Sequence, residues 1–448
     1  MAAANGRPRI VIVGGGFAGY HAAKTLCRLA RGAAEIVVIN PTDYFLYLPL
    51  LPEVAAGLLD PRRISVSIPG TLPEVRLVLG AADNVDLEAQ RVDYVDPEGR
   101  RGELTYDRLL LTSGSVNKLL PIPGVAEHAH GFRDIAEALY FRDHVTRQIE
   151  LADSTDDPEE RAARLTFVVV GAGYTGTEVA AQGVLLTDAL IRNHPRLARH
   201  SARWLLVDVA DRVLPGLDPR LGRTADRVLR NRGVELRLGT SVKEATGSSV
   251  VLSDGSDVPT RSLIWCVGVR PEPLVAGLGL KTTHGRLDVD EYLNVPGHPK
   301  VFSCGDVAAV PDLTADEPGQ ITPMTAQHAQ REGVRAARNI AASYGHGTRR
   351  PYRHHDLGFV VDLGGWRAAA NPLQIPLSGL PAFAVTRGYH LLALPSNRNR
   401  VRTAVDWALE ALLPRQTVQL GLVRSGDVPL NVEAPAGDHR WESESARS

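Results

Sequence analysis

The stretch that most constrains this chain is Arg9–Gly19, with the sequence R-I-V-I-V-G-G-G-F-A-G. Its apolar run, Ile10–Val13, predicts a buried parallel strand, and three glycines follow at G-x-G-x-x-G spacing before a predicted helix. Gly14 permits a tight turn, Gly16 lets a pyrophosphate approach the backbone, and Gly19 lets the helix pack closely on the strand. Free N–H groups at the start of the helix then face the phosphates. The stretch therefore predicts a dinucleotide site.

The same pattern occurs a second time, after the predicted strand Thr166–Val170. Gly171, Gly173 and Gly176 take the three glycine positions, and a helix is predicted from Thr177. Two such units in one chain predict two dinucleotides that are held face to face, one as electron donor and one as acceptor.

The two units differ in the residue that closes their second strand. Strand Glu35–Ile39 is closed by Asn40, where an acid ordinarily binds the ribose hydroxyls of adenosine, although an amide can also bind a ribose. Strand Trp204–Val207 is closed by Asp208, whose charge suits the free 2′-hydroxyl of NADH and repels the 2′-phosphate of NADPH. We therefore predict NADH at the second unit, a preference that the nearby Arg212 partly softens.

Three further predicted strands end in residues that suit a nucleotide. Tyr106–Gly114 and Leu263–Gly268 each end in a glycine that lets a ligand pass close to the backbone. Val301–Asp306 places Asp306 beyond its C-terminal end, where ligands of open α/β sheets bind. There it can accept hydrogen bonds from a sugar-alcohol chain such as ribityl, or cap the next helix. This order of strands inserts the second unit between two parts of the first.

The remaining segments predict smaller elements. Phe45–Gly57 is apolar and broken by proline, which predicts either a loop packed on the core or a wall facing a cofactor. Arg76–Val95 alternates enough to predict a small antiparallel hairpin. Other helices and strands are predicted at Ile135–Ala152, Thr325–Ala342, Phe359–Leu363 and Leu373–Pro376.

A basic stretch, Asn397–Arg402, opens a predicted amphipathic helix that extends to Leu413 and is ended by Pro414. Trp407 flanks its apolar face, which contains Val401, Ala404, Val405, Ala408, Leu409 and Leu412. This face predicts packing on the body of the protein or on a second copy. A cationic amphipathic helix with a tryptophan also suits a membrane interface.

Composition narrows the possible functions. The chain has 448 residues, enough for two or three domains, and a formal net charge of −1 that gives no reason to expect nucleic acid as a partner. Its three cysteines form no C-x-x-C pair and no zinc-type cluster, so neither a redox-active disulfide nor a metal is predicted. No secretory signal and no apolar run of about 18 residues is present, so the expected compartment is the cytoplasm and any membrane contact is peripheral.

Together these residues resemble the type II NADH dehydrogenases (NADH:quinone oxidoreductases) within the two-dinucleotide flavoproteins. The resemblance covers about residues 9–421. It rests on G-G-G-F-A-G (14–19), P-L-L-P-E-V-A-A-G (49–57), G-A-G-Y-T-G-T-E (171–178), V-D-V-A-D-R-V-L-P (207–215), C-G-D (304–306), T-A-Q-H-A (325–329) and N-R-N-R…D-W (397–407).

The resemblance implies an α/β protein with two Rossmann-like dinucleotide-binding domains, one inserted in the other, plus a C-terminal α+β region with an amphipathic helix. FAD would lie on residues 1–125 and 290–345, with Asp306 at its ribityl chain. NADH would lie on residues 160–285. Residues 346–430 would contact a membrane surface or a second copy, and 431–448 would form a disordered tail.

Four residues take their expected roles from the resemblance. Glu178 matches an acid that lies near the nicotinamide and orients it or handles protons for the quinone, although an acid early in a helix also stabilises that helix. Ala326 and Gln327 match the residues that face the quinone. Arg331 stands where the family usually has a second glutamine, so its charge either stabilises a reduced, anionic quinone or indicates a different acceptor.

The implied function is that of an enzyme that passes hydride from NADH to FAD and then electrons to a quinone, without pumping protons, on the inner face of the cell membrane. Two alternatives stay open at this point. One is a soluble NADH-dependent reductase of a ferredoxin-like protein, and the other is a non-catalytic flavoprotein that senses NADH.

Overall fold

The computed structural model describes residues 6–413 and 416–430, so Pro414 and the predicted tail 431–448 lie outside the described residues. The α-helices of the described residues are α1 (Phe17–Ala30), α2 (Leu51–Ala55), α3 (Ile68–Thr71), α4 (Val125–His128), α5 (Ile135–Ser154), α6 (Pro158–Arg164), α7 (Tyr174–Ile191), α8 (Pro219–Asn231), α9 (Ala326–Ala342), α10 (Gly379–Ala393) and α11 (Asn397–Leu412).

The first glycine motif lies in a six-stranded sheet that combines early and late parts of the chain. Across the sheet its strands are Asn294–Val295, His298–Ser303, Arg108–Leu111, Arg9–Val13, Glu35–Asn40 and Val75–Leu79. Every neighbouring pair is parallel except the first. Parallel strands need crossover connections, and α1 supplies the one that follows the motif. Helix α9 packs against α1 so closely that a Cβ on Gly333 would lie 2.1 Å from the carbonyl oxygen of Ala18.

The second motif lies in a separate sheet of five parallel strands. Their order is Ala129–His130, Ser262–Trp265, Thr166–Val170, Arg203–Asp208 and Glu235–Leu238. Every one of these strands lies between the early and late parts of the first sheet, so the inserted arrangement expected from the sequence is confirmed. Gly183 of α7 packs directly on the buried ring of Trp204, where a Cβ would lie 2.2 Å from a ring carbon.

Smaller sheets, in which all pairings but one are antiparallel, accompany the two large ones. Ala81–Asp86, Arg91–Val95 and Arg101–Thr105 form one unit, and Val242–Ala245, Ser249–Leu252 and Asp257–Pro259 form another. A third, late in the chain, comprises Val360–Asp362, Ala368–Ala370 and Leu377–Ser378. The remaining short strands are Tyr44–Leu46 with Ser65–Ser67, Ser115–Asn117 with Val269–Pro271, and Thr282–Thr283 with Arg286–Asp288 and Ala308–Ala309.

Three predictions of local structure are corrected. Phe45–Gly57 is not a loop, because it completes a short strand and then forms a 3₁₀ turn and α2. Arg76–Val95 is only partly a hairpin, since its first residues belong to the parallel strand Val75–Leu79. Leu373–Pro376 is not a strand, because a 3₁₀ helix occupies 372–374.

Helix α11 lies on the body of the protein through its polar side. Asn399 donates hydrogen bonds to three backbone carbonyls of the 62–65 segment, and Asp406 forms a 2.6 Å ion pair with Arg63. The indole N–H of Trp407 donates to a carboxylate of α2 at 2.6 Å. The predicted packing of the apolar side of this helix on the body is therefore wrong.

The apolar side of α11 points away from the body instead. We call four of its residues the outer face: Val401, Val405, Leu409 and Leu412, which are 64, 50, 49 and 80% exposed. The outer face is therefore an exposed apolar stripe on the surface of the protein. Among the described residues, no helix has both the length and the apolar content needed to cross a bilayer.

Candidate functional site

The first glycine loop is preformed for a close ligand. Gly14 has φ +95°, and a Cβ there would lie 2.3 Å from the carbonyl oxygen of Thr112. A Cβ on Gly19 would lie 1.8 Å from the carbonyl oxygen of Gly14. A Cβ on Gly16 would meet nothing within 4 Å. Gly14 and Gly19 are therefore required by the fold itself, whereas Gly16 faces the open space into which a pyrophosphate fits.

The second loop repeats this geometry. Gly171 has φ +106°, and a Cβ on Gly176 would lie 1.8 Å from the Gly171 carbonyl oxygen. A Cβ on Gly173 would again meet nothing within 4 Å. Both loops lead into helices whose first N–H groups are free for an anion, so both predicted sites have a matching cradle.

Asn40 and Asp208 occupy equivalent positions and brace the two loops. The Asn40 side-chain oxygen accepts a hydrogen bond from the Gly15 N–H at 2.7 Å. The Asp208 carboxylate accepts one from the Ala172 N–H, the middle residue of the second loop, and another from the Ala210 N–H. Ribose binding is the role predicted for both residues from the sequence, and this bracing role was not predicted, although their shared position after each second strand could have indicated it.

The strand ends beside the loops are also open. Gly114 has φ +79° and Gly268 has φ +100°, and a Cβ on either would meet nothing within 4 Å. The Asp306 carboxylate accepts a hydrogen bond from the Ser115 hydroxyl at 2.8 Å. Burial raises the pKa of Asp306, and the hydrogen bond from Ser115 opposes that rise. Asp306 thus lies just beyond the C-terminal end of strand His298–Ser303 and is held by Ser115.

Ala326 and Gln327 are the first two residues of helix α9. Thr325 caps the helix through its hydroxyl, and Ala326 is the first helical residue. The Gln327 side-chain N–H donates to the Gly358 carbonyl at 2.8 Å. Its side-chain oxygen is buried and has no hydrogen-bond partner among the residues that the structure describes. A buried acceptor without a protein donor can accept a hydrogen bond from an ordered water or from a ligand.

Arg331 lies one turn further along α9. Its guanidinium donates to the His355 carbonyl and approaches the His354 ring nitrogen at 3.4 Å. Tyr352 links His354 to His328, whose rings stack with centroids 3.7 Å apart. Contacts with the 352–355 segment therefore fix the position of the Arg331 guanidinium group.

Glu178 is buried in the second turn of α7, under the C-terminal region. One of its carboxyl oxygens accepts a hydrogen bond from the Asp362 N–H at 2.9 Å. Burial raises the pKa of Glu178 well above its usual value, and the nearby Asp362 and Glu53 add to the rise. The surroundings of Glu178 therefore favour the protonated form of its carboxyl group.

A buried ionic cluster surrounds Glu178. Glu53 lies 2.5 Å from the Arg387 guanidinium, which also approaches Asp362 at 3.4 Å and lies 4.2 Å above the Trp407 ring. Burial raises the pKa of Glu53 to about 7, against the attraction of Arg387. This cluster could not be predicted from the sequence, because its members come from distant segments with no shared motif.

The residues at both loops fit FAD and NADH: two glycine cradles, two braced loops, an acid at a strand end and an unpartnered amide oxygen. Flavin and nicotinamide would supply the redox chemistry, since the three cysteines are free thiols and burial raises the pKa of Cys304 well above its usual value.

Comparison with known proteins identifies the family of this chain. Residues 8–333 match the family model for pyridine nucleotide-disulphide oxidoreductases. The type II NADH:quinone oxidoreductase Ndh of Mycobacterium tuberculosis is 31% identical over 424 residues, covering 92% of this chain and 89% of that protein. An internal alternative NAD(P)H-ubiquinone oxidoreductase of Solanum tuberosum is 28% identical, covering 90% and 86%.

The fold itself matches a solved structure. The structure of NDH2 from Plasmodium falciparum in complex with NADH superimposes with a TM-score of 0.84 at 17% identity, covering 92% of this chain and all of that one. At 17% identity this match shows only that the two proteins share a fold. The family is assigned from the relatives that are similar in sequence. On that likeness the chain belongs to the type II NADH:quinone oxidoreductases, FAD-containing enzymes that pass electrons from NADH to a quinone without pumping protons.

Proposed function

We propose that this chain oxidises NADH and reduces a membrane quinone with the residues described above in specific roles. FAD binds the first glycine loop, in a domain formed by residues 1–125 and 290–345, and NADH binds the second, in residues 160–285. The observation that carries this assignment is the pair of preformed loops, each with an open middle glycine. When bound, FAD accepts hydride from NADH and passes the electrons to the quinone.

The residues around the first loop position FAD. Gly16 lets the pyrophosphate approach, and Gly114 lets the nucleotide pass the neighbouring strand end. Asp306 accepts hydrogen bonds from the ribityl hydroxyls, because its carboxylate lies at the C-terminal edge of the sheet. Asn40 keeps the loop in shape and adds an amide near the ribose. At the second unit, Gly268 likewise lets the bound nucleotide pass the end of the neighbouring strand.

The acceptor side is formed by the start of α9. Ala326 leaves room for a ring, and the buried oxygen of Gln327 accepts a hydrogen bond from the bound ligand. Arg331 supplies positive charge that favours a reduced, anionic quinone. Family membership favours a quinone as the acceptor over the two alternatives, a reductase of a ferredoxin-like protein and a non-catalytic NADH sensor.

Replacing Glu178 by glutamine should slow quinone-linked turnover about a hundredfold, as expected for the loss of a general acid. Glutamine can still accept the hydrogen bond from the Asp362 N–H but cannot release a proton. Stopped-flow reduction of the flavin by NADH should stay fast, and FAD content should stay complete. Glu150→Gln on the exposed side of α5 is the matched control, and equal steady-state rates for the two variants would remove Glu178 from catalysis.

Replacing Asp208 by asparagine should lower kcat/KM for NADH by about tenfold or more, because hydrogen bonds from the ribose to a charged acceptor are lost. The preference for NADH over NADPH should also narrow, because the repulsion of the 2′-phosphate disappears. Asparagine can retain the bond to the Ala172 N–H, as Asn40 does in the first loop. An unchanged ratio of kcat/KM for the two nucleotides would contradict the assignment.

The outer face supports attachment to the cytoplasmic side of a membrane. Residues Arg398–Leu413 combine cations at the start of α11 with an exposed apolar stripe, which suits an anionic bilayer surface. A second copy of the chain is the other candidate for this surface. Vesicle flotation with a measurement of molecular mass in detergent separates the two.

The decisive test is steady-state NADH oxidation by FAD-loaded protein in detergent, with short-chain menaquinone and ubiquinone analogues, ferricyanide, oxygen and a ferredoxin as acceptors. Turnover of about 10 s⁻¹ or more with a quinone is the expected result. Fast reduction of ferricyanide with negligible quinone turnover would reject the proposed acceptor while keeping the flavin and NADH assignments.

A further inference from the structure

A cleft of about 450 Å³ lies between α1, α9 and the turn that joins α10 to α11. Of its twelve lining residues none is acidic and four are cationic. We call these four the cationic cluster: Lys24, Arg28, Arg338 and Arg400. The whole chain has 50 basic and 51 acidic residues, so the cluster is not a consequence of a basic protein.

Among the described residues, the cluster has no carboxylate partner. Lys24, Arg28 and Arg338 make no ion pair within the described ranges, and Arg400 donates only to the Leu392 and Leu394 carbonyls and to a side-chain amide. Burial lowers the pKa of Lys24, and the charges of Arg28 and Arg400 lower it further. Like charges this close repel, so a bound anion would relieve the repulsion.

The same cleft has an apolar lip next to the outer face. Leu392 lines the cleft and is 73% exposed, and Leu29 lines it from α1. Val401 of the outer face directly follows Arg400 in sequence. Cations inside the cleft and exposed aliphatic side chains at its mouth match a ligand with an anionic head and an apolar tail.

We propose that this cleft binds the phosphate headgroup of an anionic membrane lipid, whose acyl chains lie along the apolar lip and the outer face. A soluble phosphate would satisfy the cations but would leave the exposed leucines in water. The inference rests on the membrane attachment in the proposed function, and it adds a defined lipid site and a preference for lipid charge.

The test compares flotation with vesicles of phosphatidylcholine alone and with vesicles that also contain phosphatidylglycerol. The double variant Arg28→Gln/Arg338→Gln removes two charges at exposed positions on α1 and α9. Because both positions are exposed, neither change leaves a cavity in the core. Each charge near an anionic surface contributes about 1 kcal/mol, so affinity for the anionic vesicles should fall about 30-fold. Binding to neutral vesicles should not change. Arg223→Gln/Arg227→Gln on the exposed side of α8 is the control with equal net charge.

Three outcomes would overturn the lipid site. In the first, the α1/α9 variant keeps its preference for anionic vesicles, or the α8 control loses it equally. In the second, inorganic phosphate raises the melting temperature of the wild type but not of the variant while vesicle charge has no effect, which identifies a soluble anion. In the third, the wild type binds no vesicles. Quinone turnover in detergent is measured in parallel, so a failed lipid site does not count against the NADH:quinone activity.

Discussion

Gly173→Ala should reduce kcat/KM for NADH about a hundredfold while leaving FAD content and thermal stability unchanged. The new methyl group meets no protein atom within 4 Å, and the backbone of Gly173 is already one that alanine adopts. Its only effect is to fill the space that the pyrophosphate needs, and a displacement of about 1 Å can cost about a hundredfold in rate. Steady-state kinetics and the flavin absorbance of the purified variant measure both quantities.

The equivalent change in the first loop, Gly16→Ala, should produce protein without FAD, because the same space there belongs to the flavin nucleotide. Gly277→Ala is the matched control, since that glycine also has open space and ordinary backbone angles. If Gly173→Ala instead loses FAD, or Gly16→Ala affects only NADH, the two nucleotides are assigned to the wrong loops.

Arg387→Met should lower the free energy of unfolding by about 3–5 kcal/mol, the usual result of removing one partner from a buried ion pair. The substitution preserves much of the side-chain volume but leaves the Glu53 and Asp362 carboxyls without their cation. Urea denaturation measures the change. Arg100→Met, in an exposed pair with Glu98, should have almost no effect.

The stability that Glu53 contributes to the folded protein is expected to fall as the pH rises. The folded-state pKa of Glu53, about 7, lies above its usual value of 4.5, so the folded protein keeps a proton that the unfolded chain releases. The contribution of Glu53 to stability is therefore fully present below pH 4.5 and is lost as the pH rises towards 7. Glu53→Gln should flatten this part of the profile. If the variant Glu53→Gln shows the same dependence of unfolding free energy on pH as the wild type, Glu53 does not titrate in this range.

The nucleotide loops could be predicted because their geometry is set by adjacent residues. A strand, a turn with positive φ and a close helix each require one residue type at a fixed spacing, and Gly14, Gly19, Gly171 and Gly176 fill those positions. The insertion of the second unit between two parts of the first followed from the two motifs and from the late strand that ends at Asp306. What the local spacing did not reveal was that Asn40 and Asp208 brace the loops.

The orientation of α11 could not be predicted from its own sequence. An apolar stripe normally faces the core, but here Asn399 and Asp406 find partners more than 330 positions earlier in the chain. The ionic cluster is equally nonlocal, since Glu53 and Arg387 are 334 positions apart. Periodicity reports which residues share a face of a helix, and only the tertiary structure decides which face is buried.

The polar attachment of α11 also has a thermal consequence. Apart from Trp407, detaching this helix exposes mostly hydrogen-bonding and charged groups, so the heat-capacity change of detachment is small or negative. Insertion of the outer face into lipid would bury aliphatic groups, and the hydrophobic contribution to such burial strengthens on warming from low temperature. Cooling would therefore weaken binding to the bilayer without weakening the polar contacts that hold α11 on the body. Salt, in contrast, would screen the ion pair between Asp406 and Arg63, so cooling is the better way to release the intact protein.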